Sequence, residues 1–201
     1  DAPQVGNTAK CLVKRVPRAA NASRCGVCAP GMPSTARTGA RSSTQRKRTF
    51  NGRAPGPTLH GRVGDVFEIT LVNDGSMGHS IDFHAGALAP DRPMRTIAPG
   101  ESLVYRFTAE QAGIWMYHCS TMPMSAHIAA GMHGAVIIEP DDLPDVDRSY
   151  VLVQSEVYVA GDGRTAISEV DADAVSAEQP DLVVFNGIAN QYDARPLTAR
   201  V

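Results

Sequence analysis

Short strand-forming stretches separated by turn-forming residues run through most of the chain, and this pattern constrains the fold more than any other feature. Apolar, β-branched and aromatic residues dominate each stretch. The stretches cover residues 66–72, 102–108, 114–119, 135–139, 150–159 and 182–185. Asn73-Asp74-Gly75 and Ala98-Pro99-Gly100 lie between the first two stretches as turn formers. This punctuation predicts an all-β fold in the form of a β-sandwich.

An internal echo indicates a repeated domain. Phe50-Asn51-Gly52 returns as Phe185-Asn186-Gly187, and a triplet of Pro, Thr and Leu follows each copy. The first copy leads into a full set of strands, whereas the second runs out at Val201. We therefore expect a first domain over residues 49–140, then a linker and the truncated start of a second domain over residues 141–201.

Residues 1–48 differ from the rest in composition. They are rich in Ala, Arg, Ser, Thr, Pro and Gly, and they show no sustained period of 2 or 3.6. Such a segment has no face to bury, so we expect an irregular, disordered basic leader. It lacks interleaved aromatic residues and any recognisable module, which argues against nucleic-acid binding. The chain also lacks an apolar run of the roughly 20 residues that a transmembrane helix needs.

Three of the four cysteines lie within the leader. Cys25 and Cys28 have the two-residue spacing of a zinc knuckle or a redox pair. A zinc site would need a second pair, and a redox motif would need a βαβ frame. We therefore interpret them, with Cys11, as incidental, or as disulfide formers in an oxidising compartment.

The fourth cysteine belongs to a cluster that also holds most of the six histidines. Cys119 ends a strand-like stretch, and His127 and Met132 follow on the next loop. With His79 from another strand, they supply two imidazoles, a thiolate and a distant thioether, which is the ligand set of a mononuclear copper electron-transfer site. We therefore predict a blue-type copper site, in which two other loop methionines are the alternatives for the thioether.

His84 and His118 are placed for a second metal. His79 and His84 are five positions apart, and an odd separation on a strand sends side chains to opposite faces. His118 and Cys119, as neighbours, also point opposite ways. His84 and His118 can therefore meet on the other face, and the 118–119 peptide becomes a covalent bridge between two metal sites.

Two imidazoles do not complete a catalytic metal site, which usually has three protein ligands and an exchangeable water. His60 is expected as a polar residue at a strand entrance and His133 as a surface residue, so neither is predicted as the third ligand. Asp82, two residues before His84, could deliver protons to a bound oxyanion. It could equally orient a histidine or face solvent.

The motifs His79-Ser-Ile-Asp-Phe-His84, Tyr117-His118-Cys119, His127 and Gly131-Met132 resemble the first cupredoxin domain of the copper nitrite reductases. The resemblance runs from about residue 50 to the end of the chain. It implies a cupredoxin-like Greek-key β-sandwich followed by an incomplete second cupredoxin domain. It also implies a denitrification enzyme that reduces nitrite to nitric oxide with one electron and two protons.

The resemblance assigns roles to the clustered residues. The implied type 1 copper ligands are His79, Cys119, His127 and Met132. The implied type 2 copper ligands are His84 and His118, with Asp82 delivering protons. The family further implies a homotrimer whose type 2 copper lies between neighbouring subunits, a small cupredoxin or cytochrome c as electron donor, and a periplasmic or other extracytoplasmic location.

Three features depart from the family pattern. No histidine follows His133, although the family's second domain supplies the third catalytic-copper ligand and another active-site histidine. Residues 1–48 lack the strands that open the family's first domain, which would leave a sheet edge exposed. Ala126 precedes His127 where the family often has Trp, a difference that bears on surface and redox tuning.

Three alternative functions stay open at this stage. A laccase-like multicopper oxidase shares the fold, but its trinuclear cluster needs a His-Cys-His triplet, and Ser120 follows Cys119 here. An electron-transfer cupredoxin with one copper explains the Cys119 loop but not the pairing of His84 with His118. An inactive fragment would account for the anomalous sequence at both ends.

Overall fold

The computed structural model describes residues 8–16, 48–86, 94–161 and 169–199. These residues form ten strands and three short helices. The strands are β1 Thr8–Val16, β2 Thr49–Phe50, β3 Leu59–Arg62, β4 Val66–Asn73, β5 Asp82–Phe83, β6 Ser102–Thr108, β7 Gly113–His118, β8 His133–Glu139, β9 Gln154–Val157 and β10 Leu182–Phe185. The helices are α1 Met124–Ala129, α2 Ala172–Ser176 and α3 Gln191–Ala194.

The first sheet has the strand order β2-β1-β4-β6. Its strand β4 alternates in burial, because Phe67, Ile69 and Leu71 face the core while the residues between them are only half-buried. β6 repeats the alternation and runs antiparallel to β4, with Phe107 opposite Phe67. One face of this sheet is therefore apolar and closes one side of the core.

The second sheet has the order β3-β8-β7-β5. β8 runs parallel to β3 and antiparallel to β7. The first four residues of β8 are all buried, unlike those of a sheet with one wet face. On the outer face, residues 150–156 border the same cavities as Met116 and His133, so later parts of the chain flank this side of the sheet.

Aromatic rings fill the space between the two sheets. Tyr117 of β7 stacks on Phe83 of β5 with ring centroids 5.1 Å apart, and Phe83 stacks on Phe107 of β6 at 5.3 Å. Phe107 stacks in turn on Phe67 at 5.1 Å. The row crosses from one sheet to the other, so the burial of these rings holds the sandwich together.

Residues 8–16 depart from the expectation of an irregular leader over residues 1–48. They form β1, which pairs antiparallel with β4 and parallel with β2. Ala9 and Cys11 are buried while Lys10 between them is exposed, so the period of 2 is present. It was missed because the segment is short and rich in Lys and Arg. β1 covers the edge of β4 that would otherwise stand open.

The remainder of the expected leader, including Cys25 and Cys28, lies outside the described residues. After residue 140, β9 and β10 pair as a two-stranded antiparallel sheet, followed by α3. The division at residues 48/49 and 140/141 into a leader, a first domain and a partial second domain stays a prediction.

The Phe-Asn-Gly echo corresponds to a repeated local structure. Asn51 and Asn186 both adopt a left-handed backbone, with φ of 54° and 52°. The Asn51 side chain accepts from the Cys11 N–H at 2.7 Å and donates to the Cys11 carbonyl at 2.9 Å. The Asn186 side chain likewise accepts from Val153 N–H and donates to the Val151 carbonyl, both at 3.0 Å. Each asparagine thus fastens its turn to an earlier segment of the chain.

The predicted all-β sandwich is confirmed for the described residues. All six sequence-predicted stretches overlap a strand, namely β4 and β6–β10. The strands β1, β2, β3 and β5 and the three helices were not predicted. β2 and β5 have only two residues, and β3 and the helices lack a run of apolar, β-branched or aromatic residues. None of the helices in the described part of the chain has the length and apolar character required to cross a membrane.

Candidate metal centres

One cluster of metal-ligating groups is buried inside the sandwich. Ligand atoms of His79, Cys119 and His127 all lie within 4.8 Å of one another. The Cys119 Sγ atom is 3.4 Å from His127 Nδ1 and 4.0 Å from His79 Nδ1. Donors that share one metal at bond lengths of about 2.0–2.3 Å lie about 3.5 Å apart, so one ion fits among these three atoms.

Three different elements bring these side chains together. His79 is held to Ile97 by two backbone hydrogen bonds, His79 N–H to the Ile97 carbonyl at 3.2 Å and the reverse at 2.9 Å. Cys119 directly follows β7, and His127 is the buried residue of α1. The cluster therefore sits at one end of the sandwich, where a strand end and a loop helix converge.

Met132 lies beside this cluster and is fully buried. Its carbonyl accepts from Cys119 N–H at 3.1 Å, and its own N–H donates to the His127 carbonyl at 3.1 Å. The turn before it needs Gly131, whose φ is +110°. The two alternative methionines, Met122 and Met124, are 79% and 40% exposed, so burial favours Met132 as the thioether ligand.

The two histidines of the buried cluster are held neutral. Burial, then the nearby His127 and Arg48 charges, lowers the pKa of His79 to about 4. Burial, followed by Arg48, also lowers the pKa of His127. A metal binds only the deprotonated imidazole, so both side chains are ready ligands at neutral pH.

A second cluster lies on the other face of β7. Ligand atoms of Asp82, His84 and His118 lie within 4.8 Å of one another. The Nε2 atoms of His84 and His118 are 3.0 Å apart, and Asp82 is the register partner of His118 across β5 and β7. His118 is buried, Asp82 is half-buried and His84 is exposed. This cluster is therefore open on one side, unlike the first.

Hydrogen bonds orient the second cluster. His118 Nδ1 lies 3.1 Å from the Cys119 carbonyl. A carbonyl can only accept, so Nδ1 is the donor, and in the neutral ring Nε2 carries the lone pair that faces His84. Asp82 Oδ2 accepts from Ser120 Oγ at 3.4 Å. Such contacts fix ring and carboxylate orientation in metal sites.

The two clusters are joined by one peptide bond. Cys119 belongs to the buried cluster and His118 to the open one, as the alternation of strand side chains requires. His79 and His84 also fall in separate clusters, although the chain between them forms only the short strand β5. A metal in each cluster would be linked through the backbone and side chains of two adjacent residues.

His60 and His133 lie outside both clusters. His60 is half-buried in β3, at the strand position expected for it. His133 was expected at the surface but is only 8% exposed, because α1 lies beside it and residues 154–156 border the same cavity. Its Nδ1 donates to the Ile128 carbonyl at 3.2 Å, while its Nε2 is buried without a partner in the described residues.

Sequence reasoning missed Ser80 and Ser120. Both serines contact the clusters: Ser80 N–H lies 3.5 Å from Cys119 Sγ, and Ser120 donates to Asp82. The sequence feature that could have identified them is their position directly after a predicted metal ligand, since Ser80 follows His79 and Ser120 follows Cys119. Serine is too common in loops for this to have stood out.

The donor set fits copper. A buried thiolate with two imidazoles and a thioether suits a copper that cycles between Cu(I) and Cu(II), whereas zinc rarely uses methionine. The open cluster offers two imidazoles and a carboxylate, which leave positions for an exchangeable ligand.

Comparisons with known proteins agree with this chemistry. A multicopper oxidase family model matches residues 34–143. A copper-containing nitrite reductase of Neisseria meningitidis is 39% identical over 144 residues, which are 69% of this chain and 37% of that protein. One from Alcaligenes xylosoxydans is 38% identical over 182 residues, or 79% of this chain and 55% of that protein.

Solved structures give the same result. The copper nitrite reductase of Nitrosomonas europaea superposes with a TM-score of 0.64 at 33% identity, covering 91% of this chain and 56% of that one. Its likeness supports the cupredoxin-like fold. The chain spans between about a third and somewhat over half of the length of these relatives. Because the family model covers more than half of its residues, the chain belongs to the multicopper oxidase family, whose cofactor is copper.

Proposed function

We propose that the protein is a copper nitrite reductase, which converts nitrite to nitric oxide and water with one electron and two protons. One observation carries the proposal: adjacent residues, His118 and Cys119, belong to two different ligand clusters. A protein that only carries electrons has no use for the second cluster. The nitrite reductases at 38–39% identity support the same choice.

In this proposal, the buried cluster of His79, Cys119, His127 and Met132 holds the type 1 copper, and His84 and His118 hold the type 2 copper. Copper would supply one-electron chemistry, taking up an electron at the first site and holding nitrite at the second. The protein keeps the first site dry and nearly rigid, because all four of these ligands are at most 2% exposed. A dry, fixed ligand set limits rearrangement on electron transfer.

Asp82 is proposed as the residue that delivers protons. Its carboxylate lies within 4.8 Å of the His84 and His118 ligand atoms, at the open side of the second cluster. A proton carried on one Asp82 oxygen can pass to a nitrite oxygen as the N–O bond breaks, and a second proton, taken from solvent at this open side, completes the water that leaves. Ser120 donates to Asp82 Oδ2 at 3.4 Å and so holds the carboxylate in one orientation.

The open cluster has only two histidines within the described residues, so we propose that a neighbouring subunit supplies a third. The exposed position of His84 leaves room for it. A homotrimer follows from the resemblance, as do an extracytoplasmic location and a small cupredoxin or cytochrome c as donor. Sedimentation of the natural protein should give three times the mass of one chain.

Copper EPR of the natural full-length protein, reconstituted with copper, tests the proposal. Two distinct signals are expected, and nitrite should shift only the signal from the open cluster. A single signal that ignores nitrite would instead favour an electron-transfer cupredoxin. That second candidate is favoured by one observation: His79, Cys119, His127 and Met132, the four proposed type 1 ligands, are all buried in this chain, whereas the proposed type 2 copper has only two histidines in the described residues.

A further inference from the structure

Ser80 contacts the Cys119 sulfur through two groups. Its backbone N–H lies 3.5 Å from Cys119 Sγ, and its hydroxyl oxygen lies 3.8 Å from the same atom, a long hydrogen bond to sulfur. Ser80 is 1% exposed and Cys119 is fully buried, so water does not compete for either contact. A serine so deeply buried must use its hydroxyl within the protein.

The other partners of the hydroxyl decide where its proton goes. Ser80 Oγ accepts from the Ser120 N–H at 2.9 Å and from the Thr121 hydroxyl at 3.2 Å. A hydroxyl has two acceptor lone pairs and one proton. Both lone pairs are occupied, so the proton is left for the sulfur.

A second hydroxyl continues the chain toward the surface. Thr121 Oγ1 lies 2.9 Å from Thr96 Oγ1, and Thr96 is exposed. Since Thr121 donates to Ser80, its oxygen is free to accept from Thr96. Gly78 allows Thr96 to lie this close to Thr121, because a Cβ at residue 78 would be only 2.8 Å from Thr96 Cγ2. Hydrogen bonds aligned in one direction polarise one another and strengthen the last one.

We propose that Ser80 is a positioning residue for Cys119. The hydroxyl chain Thr96–Thr121–Ser80 directs a proton at the thiolate and thereby raises the reduction potential of the copper that it binds. Hydrogen bonds to the sulfur stabilise its negative charge, which is greater when copper is reduced. The inference rests on the proposed type 1 copper at Cys119.

Ser80→Ala is the direct test, because it removes the hydroxyl donor and keeps the backbone donor. We expect the ratio of Cu(I) to Cu(II) affinity to fall about tenfold, which lowers the potential by about 59 mV for a one-electron couple. The thiolate-to-copper absorption band should move to longer wavelength, because the sulfur becomes easier to oxidise.

Further variants separate positioning from support of the fold. Ser80→Thr keeps a hydroxyl and should restore both the potential and the band position. Thr121→Val keeps Ser80 but removes the donor that feeds it, so a smaller shift in the same direction is expected. Ser102→Ala, at an exposed serine of β6, is the control and should leave both readouts unchanged.

The outcomes distinguish this inference from the proposed function. A parent protein without a thiolate-to-copper band would overturn the copper site and the role of Ser80 together. If the parent shows the band, but Ser80→Ala changes neither the band position nor the reduction potential, the role of Ser80 alone would be overturned. Equal shifts in Ser80→Ala and Ser80→Thr would also overturn it, because the hydroxyl would then be irrelevant.

Discussion

Cys11 and Cys119 are both buried free thiols, yet the chemical groups around their sulfur atoms differ. The Cys119 sulfur faces the Nδ1 atoms of His79 and His127. Cys11 lies in the apolar core, where burial raises the pKa of its thiol to about 12. At the scale of single residues, one thiol therefore lies among metal-ligating side chains and the other among apolar ones.

Replacing each cysteine by alanine should separate these roles. Cys119→Ala is expected to abolish the thiolate-to-copper absorption and electron uptake completely, because Cys119 supplies the thiol of that cluster among the described residues. Cys11→Ala is the matched control and should keep the absorption at full intensity per copper. Visible spectra at known copper content provide the measurement. Colour that persists in Cys119→Ala would refute the assignment of this ligand.

The raised pKa of Cys11 also predicts a loss of stability in alkali. The unfolded thiol ionises near pH 9, whereas the folded thiol keeps its proton until about pH 12. The free energy of unfolding should therefore fall with rising pH across this window, by about 1.4 kcal/mol per pH unit for one such group. Urea unfolding of parent and Cys11→Ala along a pH series measures it, since the parent slope should exceed that of the variant. Identical slopes would show that Cys11 does not contribute.

Residue types and spacing were sufficient to predict which histidines and which cysteine meet in each cluster, while their roles as copper ligands stay a prediction. The odd separations of His79 from His84 and of His118 from Cys119 already sent these side chains to different faces. Ser80 could not be predicted, because its contact with Cys119 spans 39 positions and depends on how two loops meet. The burial of His133 could not be predicted either, since it depends on Ile128 of α1 and on later residues that border the same cavity.

At the scale of elements, the strands that lie in a run of apolar, β-branched or aromatic residues were predictable, including the four-residue β9 and β10, and the strands outside such a run were not. β4 and β6 show a clear period of 2, so their bounds agree closely with the sequence-based ranges. β5 has two residues and is defined by its partner β7 rather than by its own pattern. β1 was missed although it alternates, because its Lys and Arg residues resemble those of the leader that follows.

The Asn51 side chain extends the pairing of β1 on its β2 side, where it takes the place of two backbone hydrogen bonds at Cys11. Asn51→Gly keeps the left-handed backbone and should cost about 1–3 kcal/mol of unfolding free energy. Asn51→Ala should cost about 1 kcal/mol more, because alanine disfavours a φ of 54°. Urea denaturation gives both values.

Asn186→Gly is the matched control for the Asn51 prediction. Asn186 makes the equivalent pair of contacts at exposed positions, where water can replace them, so its loss should cost less. Equal costs at the two sites, or no cost at Asn51, would contradict the role given to this asparagine.

At the scale of the whole molecule, the sandwich keeps one cluster dry and the other open. β7 separates them, with Cys119 beyond its end facing inward and His118 facing the side that residues 82–84 border. The stacked rings of Phe83 and Tyr117 hold β7 against β5, the strand that carries Asp82 of the open cluster. Under the proposed function, electrons and nitrite would enter at different places while the two sites stay connected.

Reoxidation by nitrite tests the connection between the clusters most directly. The copper-loaded, full-length protein is reduced under argon, nitrite is added, and the return of colour is followed together with nitric oxide. The parent should regain colour and release one nitric oxide for each electron lost. His118→Ala should be coloured and reducible but fail to reoxidise, whereas reoxidation at the parent rate would contradict the account.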